Sequence, residues 1–201
     1  TATTATTATT ALGGANIILQ APTGCGKSLV AEILMVRKLL QSQNNNTKLL
    51  EKKIVYVVPK RVLVTSTVKH LKRVLEHATR KYIRVEGYFG NRSTCVGEGS
   101  KSPLQAFKGD TIQIIVCTTE LAVALIENIV IGGTEHIERL ASIVVDEADS
   151  LDLGDKRGVG MLNALASLKL VVQTNKCQII CIADIDECLS NPCQNGGTCT
   201  D

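Results

Sequence analysis

The sequence predicts an α/β fold, a mostly parallel sheet covered by helices on both faces, in one main domain. Three observations predict it. Short apolar runs rich in Val and Ile alternate with longer segments of helical apolar periodicity, the arrangement that parallel strands joined by crossover helices require. Aromatic residues make up only 2% of the 201 positions against 44% apolar in all, so the core has to be built from Val, Ile, Leu and Ala, which suits strands buried on both faces. A Gly-rich turn links the first apolar run to the first helical segment.

Taken in order, residues 1–11 begin with a Thr-Thr-Ala-type repeat that offers no apolar side chain larger than Ala until Leu12, and are expected to be a low-complexity segment outside the core. Asn16–Gln20 reads as a short buried strand, followed by the turn and a helix marked by Leu29, Ile33, Leu34, Val36 and Leu40. After the polar loop Gln41–Lys48, Lys53–Val58 is a strand stopped by Pro59, and Val64, Val68, Leu71 and Leu75 mark the inner face of a second helix. Ile83–Val85 is a brief strand that leads into Gly87–Asp110, whose Gly and Ser content predicts a surface excursion. Ile112–Thr118 is a strand, Glu120–Ile131 a helix broken by Gly132-Gly133, and Ile143–Val145 a strand ending in acids. A helix near Gly158–Leu168 and a strand at Gln178–Ile182 complete the body.

The net charge of +3 is unevenly spread: every Lys and Arg lies within the first 176 residues, and the rest carries only Asp184, Asp186, Glu187 and Asp201 as charged groups. A mildly basic body is compatible with a polyanion partner, although a solvated face would look the same. The sequence has no run of roughly 18 apolar residues that would span a membrane, and its N-terminus has no secretory pattern. Cys25, Cys95, Cys117, Cys177 and Cys181 are scattered as buried, reduced thiols would be, whereas Cys188, Cys193 and Cys199 crowd the end. His70, His77 and His136 have no metal-ligand spacing and are expected on helix surfaces.

Two motifs carry chemistry. Ala21-Pro22-Thr23-Gly24-Cys25-Gly26-Lys27-Ser28 has the spacing of a phosphate-binding loop, with Ala21 where the general pattern has its first Gly. In such a loop Thr23, Gly24, Cys25 and Gly26 turn their amides inward, Lys27 reaches the terminal phosphates, and Ser28 ligates magnesium. Asp146-Glu147-Ala148-Asp149 directly follows an apolar strand, which places its carboxylates at the carboxyl end of a parallel sheet, where ligands bind. Asp146 would hold the magnesium ion and Glu147 would orient or deprotonate the attacking water, so Lys27, Asp146 and Glu147 are the expected catalytic residues.

Together these motifs resemble the superfamily 2 helicases of the DEAD/DEAH type, and the longer context looks most like the polymerase-theta-like helicases. The resemblance covers about Leu12 to Ile182. It includes Ala21–Ala31, Val85–Gly90, Ile115–Glu120 and the Gly-Asp-Lys-Arg-Gly of Gly154–Gly158. It implies a RecA-like P-loop domain over residues 12–183, the first half of a nucleic-acid-dependent ATPase that uses ATP and magnesium, and a nuclear or cytoplasmic setting. It also implies that Lys60, Arg61, Gly87 and Thr118 touch a single-stranded nucleic acid, although Pro59 would end a strand and Thr118-Thr119 would cap a helix in any case. The repeat occupies the place of the family's adenine-recognising elements, and Cys181-Ile182-Ala183-Asp184 stands where the family has a Ser-Ala-Thr linkage. The sequence contains no second RecA-like domain to supply an arginine finger, so weak or absent hydrolysis is expected of this half alone.

Residues 184–201 closely resemble the start of a calcium-binding EGF-like module, with its Asp-x-Asp-Glu-Cys opening and Asn-Gly-Gly turn. That resemblance implies calcium oxygens from Asp184, Glu187 and Asp201 and pairing of Cys188 with Cys199. Three of the six family cysteines are present, so a partial module or an unstructured tail are both open. A second function class follows from this end of the chain: an extracellular filament or matrix protein, self-assembling or bound to matrix partners, in which the P-loop fold only packs.

Overall fold

The computed structural model describes residues 15–41, 52–76, 83–90, 92–93, 102–151, 154–171 and 177–184. Its centre is a seven-stranded sheet. The strands are β1 (Ile17–Ala21), β2 (Lys53–Val58), β3 (Val85–Phe89), β4 (Arg92–Ser93), β5 (Ile114–Thr118), β6 (Leu140–Val145) and β7 (Gln178–Asp184), in the spatial order β1-β7-β6-β2-β5-β3-β4. Every pairing is parallel except that of the two-residue β4 with β3. The expected mostly parallel α/β sheet is therefore what the chain forms, and all six parallel strands end at one edge.

Helices cover both faces because the central strands are apolar on both. In β2, Ile54, Tyr56 and Val58 face one cluster, while Val55 and Val57 face the other. The first cluster is closed by α1 (Lys27–Gln41), through Ala31, Leu34, Met35 and Leu39, and by α2 (Arg61–Leu71), through Val64, Val68 and Leu71. A π-helical turn, Lys72–Glu76, continues α2 and adds Leu75. The second cluster is closed by α3 (Pro103–Lys108), α4 (Thr119–Ile131), α5 (Gly133–Arg139) and α6 (Lys156–Val171). Each fully buried Ile or Leu contributes roughly 1.5–3 kcal/mol, so these two layers hold the sheet without aromatic residues in quantity.

Several expectations need correction. In α1 the marker residues Leu29, Ile33 and Leu40 are exposed, and the buried stripe runs instead through Ala31, Leu34, Met35 and Leu39. This helix is apolar on more than one side, so periodicity alone does not choose the face. The segment Gly87–Asp110 is not wholly a surface excursion. Gly87 and Tyr88 are buried in β3, and α3, capped by the Ser102 side chain accepting from the Gln105 amide, buries Ala106 and Phe107. Gly132-Gly133 ends α4, but α5 starts at once, because Gly133 takes the positive φ of 67° that the change of direction needs. Strand β7 runs on to Asp184, two residues beyond the expected end, so Asp184 is the last residue of that strand. The expectations for residues 1–11, Gln41–Lys48 beyond the end of α1, Cys95, His77, Glu187, Cys188, Cys193, Cys199 and Asp201 lie outside the described residues.

Candidate functional site

The turn between β1 and α1 is shaped by two glycines. Gly24 and Gly26 both have φ of 85°, with open space where a side chain would project. An L-residue would be strained there by its own backbone and not by a neighbour. The Cys25 amide bonds to the Pro22 carbonyl at 3.3 Å, which tightens the turn, and α1 starts at Lys27, so its N-terminal end borders the cleft.

Opposite this turn, the end of β6 is pinned to its neighbour β2. The Asp146 amide donates to the Val57 carbonyl at 2.9 Å, and the Tyr56 hydroxyl donates to Asp146 Oδ2 at 2.7 Å. The chain then bends sharply. Glu147 is the only described non-glycine residue with positive φ, at 47°, and its amide bonds to Asp146 Oδ1 at 3.1 Å. Burial foremost, and then the Asp146 charge, pushes the Tyr56 phenol far above its ordinary value, so it remains a donor to the carboxylate.

Thr23, Gly24, Gly26, Lys27, Ser28, Asp146 and Glu147 line one open cleft of about 380 Å³, with Ile182, Ala183 and Asp184 from the end of β7 on its remaining side. The phosphate-loop motif and the acidic motif therefore face each other, although 118 positions separate Ser28 from Asp146. A hydroxyl and a carboxylate are hard oxygen donors suited to magnesium, and the cleft has room for a phosphate chain above the amides of α1. Cys25 belongs to the same turn but is exposed and does not line the cleft, contrary to its expected burial.

Lys27 is held back. Its ammonium donates to the Ala21 carbonyl at 2.5 Å and to the Pro22 carbonyl at 2.9 Å, and it pairs with Asp184 Oδ1. The Lys27 hydrogen bond, the largest influence on Asp184, helps keep that carboxyl below the usual carboxylate range. The Asp184 amide in turn donates to Asp149 Oδ1 at 3.2 Å.

The sequence profile of DEAD/DEAH box helicases matches residues 1–183. The chain belongs to the DEAD/DEAH box helicase family. Among the proteins this helicase domain is similar to are DNA polymerase theta of Mus musculus, 30% identical over 166 residues, and DNA polymerase theta of Drosophila melanogaster, 27% identical over 161 residues. A third is "Helicase POLQ-like" of Caenorhabditis elegans, 29% identical over 148 residues. These alignments cover 82%, 80% and 74% of this chain but only 5%, 6% and 14% of the relatives, in the same order. The solved structure of the DUF1998 helicase MrfA superimposes with a TM-score of 0.65 at 18% identity, covering 90% of this chain and 26% of that one, which shows a shared fold. The two motifs thus sit in a helicase-type, RecA-like domain.

The other residues singled out in the sequence are spread along the same carboxyl edge of the helicase sheet. Lys60 and Arg61 are exposed where β2 gives way to α2. Thr118, almost fully buried at the end of β5, pairs in register with Val58. Gly87 is buried inside β3, two residues short of that strand's end. Thr118 makes no side-chain cap to α4, and instead hydrogen-bonds the Glu120 carboxylate. Arg157 joins this turn to the Gly154–Gly158 motif by pairing with Glu120 at 3.5 Å and with Asp155 at 2.7 Å. Three contacts escaped the sequence reading: Tyr56 on Asp146, Asp184 on Lys27, and the partly exposed His70, whose Nε2 lies 2.6 Å from the buried Glu32 of α1. His136 stacks edge-on against Phe107 with ring centroids 6.0 Å apart, so it packs as well as facing solvent. Among the described residues, no His, Cys, Asp and Glu group has the makings of an all-protein metal site, and no helix is long and apolar enough to cross a membrane.

Proposed function

We propose that this domain, spanning residues 12–183, binds ATP with magnesium as the first half of a nucleic-acid-dependent motor. The observation that carries the reading is the one cleft lined by Thr23, Gly24, Gly26, Lys27 and Ser28 together with Asp146 and Glu147. The amides of Gly24–Ser28 and the N-terminal end of α1 would bind the phosphates, and Lys27 would swing from its carbonyls to the terminal ones. Ser28 and Asp146 would hold the metal, which when bound offsets charge on the phosphate oxygens. Glu147, beside Asp146 on the left-handed bend, would accept a proton from a water or orient it. The domain supplies one side of the transition state only, so hydrolysis without a second RecA-like domain should be slow.

Lys60, Arg61, Thr118 and Gly87 would carry a single-stranded nucleic acid along the carboxyl edge, with Lys60 and Arg61 making the phosphate contacts because their side chains are the exposed ones. Residues 1–11 and 184–201 are taken as attached segments. The EGF-like reading of the latter, with calcium on Asp184, Glu187 and Asp201 and a Cys188–Cys199 disulfide, rests on sequence resemblance. The Lys27 ammonium beside Asp184 opposes a second cation there.

Calorimetric titration of ATP with magnesium into the wild type and Lys27→Ala tests the main reading. The variant should lose measurable binding; equal affinity in the two proteins would show that this loop is not the phosphate site.

A further inference from the structure

We propose that Asp184 is an affinity-determining residue of the cleft: its carboxylate occupies Lys27 in place of a phosphate, so nucleotide binds only by displacing it. This rests on the nucleotide-site reading above and adds a residue to which neither sequence motif assigns a role in nucleotide binding.

An ammonium has three N–H groups, and those of Lys27 have three acceptors: the Ala21 carbonyl, the Pro22 carbonyl and Asp184 Oδ1. A phosphate oxygen can take Lys27 only if one of these lets go. The two carbonyls are neutral and belong to the same turn, whereas Asp184 is a full negative charge that arrives from another strand. Coulomb attraction therefore makes it the strongest of the three competitors.

Geometry holds Asp184 in that role. Ala21 and Asp184 are register partners in the parallel pairing of β1 with β7, so the acid is anchored where the phosphate turn starts. Its amide is fixed on Asp149 Oδ1, and its carboxylate also hydrogen-bonds the Thr23 side chain, a second group of the phosphate turn. Asp184 thus engages two polar groups of the loop, as an anionic ligand would.

Charge adds a second effect. The cleft is lined by one cation, Lys27, and three carboxylates, those of Asp146, Glu147 and Asp184. The first two are suited to a metal ion, but Asp184 is already spent on Lys27, and once displaced it would stand near an incoming polyphosphate and repel it. Replacing Asp184 with Asn keeps the size and a carbonyl for Thr23 while removing the charge.

The test uses the full chain as wild type, Asp184→Asn and Asp184→Ser, with two readouts. One is the dissociation constant for ATP with magnesium. The other, made without nucleotide, is the rate at which an amine-directed acylating reagent modifies Lys27, followed by peptide mass spectrometry. The pair is partly exposed, so tightening of about 2- to 5-fold for ATP is expected in both variants, together with faster acylation of Lys27. Wild-type binding that Asp184→Asn and Asp184→Ser leave unchanged or weaken, with unaltered acylation, overturns this proposal while the nucleotide reading stands. No ATP binding by any of the three proteins overturns the nucleotide reading and this proposal with it.

Discussion

At the scale of single residues, the cleft depends on side chains whose polar atoms are already committed. Asp146 is tethered twice to β2, through its amide on Val57 and its Oδ2 on the Tyr56 hydroxyl, which leaves Oδ1 turned toward the Glu147 amide. Tyr56→Phe keeps the ring that packs between α1 and the sheet and removes only the hydroxyl. The magnesium concentration that half-saturates ATP binding should therefore rise about tenfold, as for other outer ligands of a metal site, while the melting temperature changes little. An unchanged magnesium dependence in calorimetry would remove Tyr56 from the site. Lys27, Ser28, Asp146 and Glu147 were legible in the sequence because their chemistry is written in contiguous motifs. Tyr56 and Asp184 were not, since their partners lie 90 and 157 positions away and an apolar run such as Lys53–Val58 does not announce what one hydroxyl in it will touch.

At the scale of elements, the central strands were legible, whereas the expected Ile83–Val85 strand lies instead at Val85–Phe89, and the two-residue β4 and the short helices were not foreseen. Ile114–Thr118 and Leu140–Val145 are buried on both faces, and their apolar runs mark them, although Ser142 interrupts the second and only its end, Ile143–Val145, was read as strand. The six residues of α3 and seven of α5 are too short to show a periodicity, and glycine-rich surroundings conceal them. Strand β2 also opens with a buried cation. Lys53 is fully buried, donates to the Ile112 carbonyl at 2.6 Å, and is pushed down to about 8 by burial first and then by the Arg139 charge. The unfolded chain, with its lysine near 10.5, binds more protons than the native one above about pH 8, so this group makes stability rise with pH across that window. Cys117 and Cys177 act in the opposite sense. Burial raises both to about 12, so the native state keeps protons that unfolded thiols lose from about 9 upward, and stability falls there. Urea midpoints should accordingly rise between pH 8 and 9 and decline beyond. Lys53→Met should flatten the rise and leave the decline; a rise of the same size in the variant would assign it to another group.

At the scale of the whole molecule, parallel pairing brings the ends of six strands to one edge, and the phosphate turn, the acidic motif and the exposed Lys60 and Arg61 all lie along it. The parallel sheet was legible from the alternation of strands and helices, and the carboxyl-edge position of the acids from the apolar strand before them, but the strand order was not. If Lys60 and Arg61 each neutralise one phosphate, the double variant Lys60→Ala, Arg61→Ala should bind single-stranded DNA or RNA more weakly and lower the log–log salt slope by about 1.4. Fluorescence anisotropy over a salt series measures this, and an unaltered slope would move the nucleic acid elsewhere. The most direct measurement of the account is a crystal structure of the chain with manganese and a non-hydrolysable ATP analogue. Manganese scattering between Ser28 Oγ and the Asp146 carboxylate, with the triphosphate lying on the amides of Gly24–Ser28, is the result expected. Nucleotide bound away from that turn, or a metal that touches neither side chain, would contradict it.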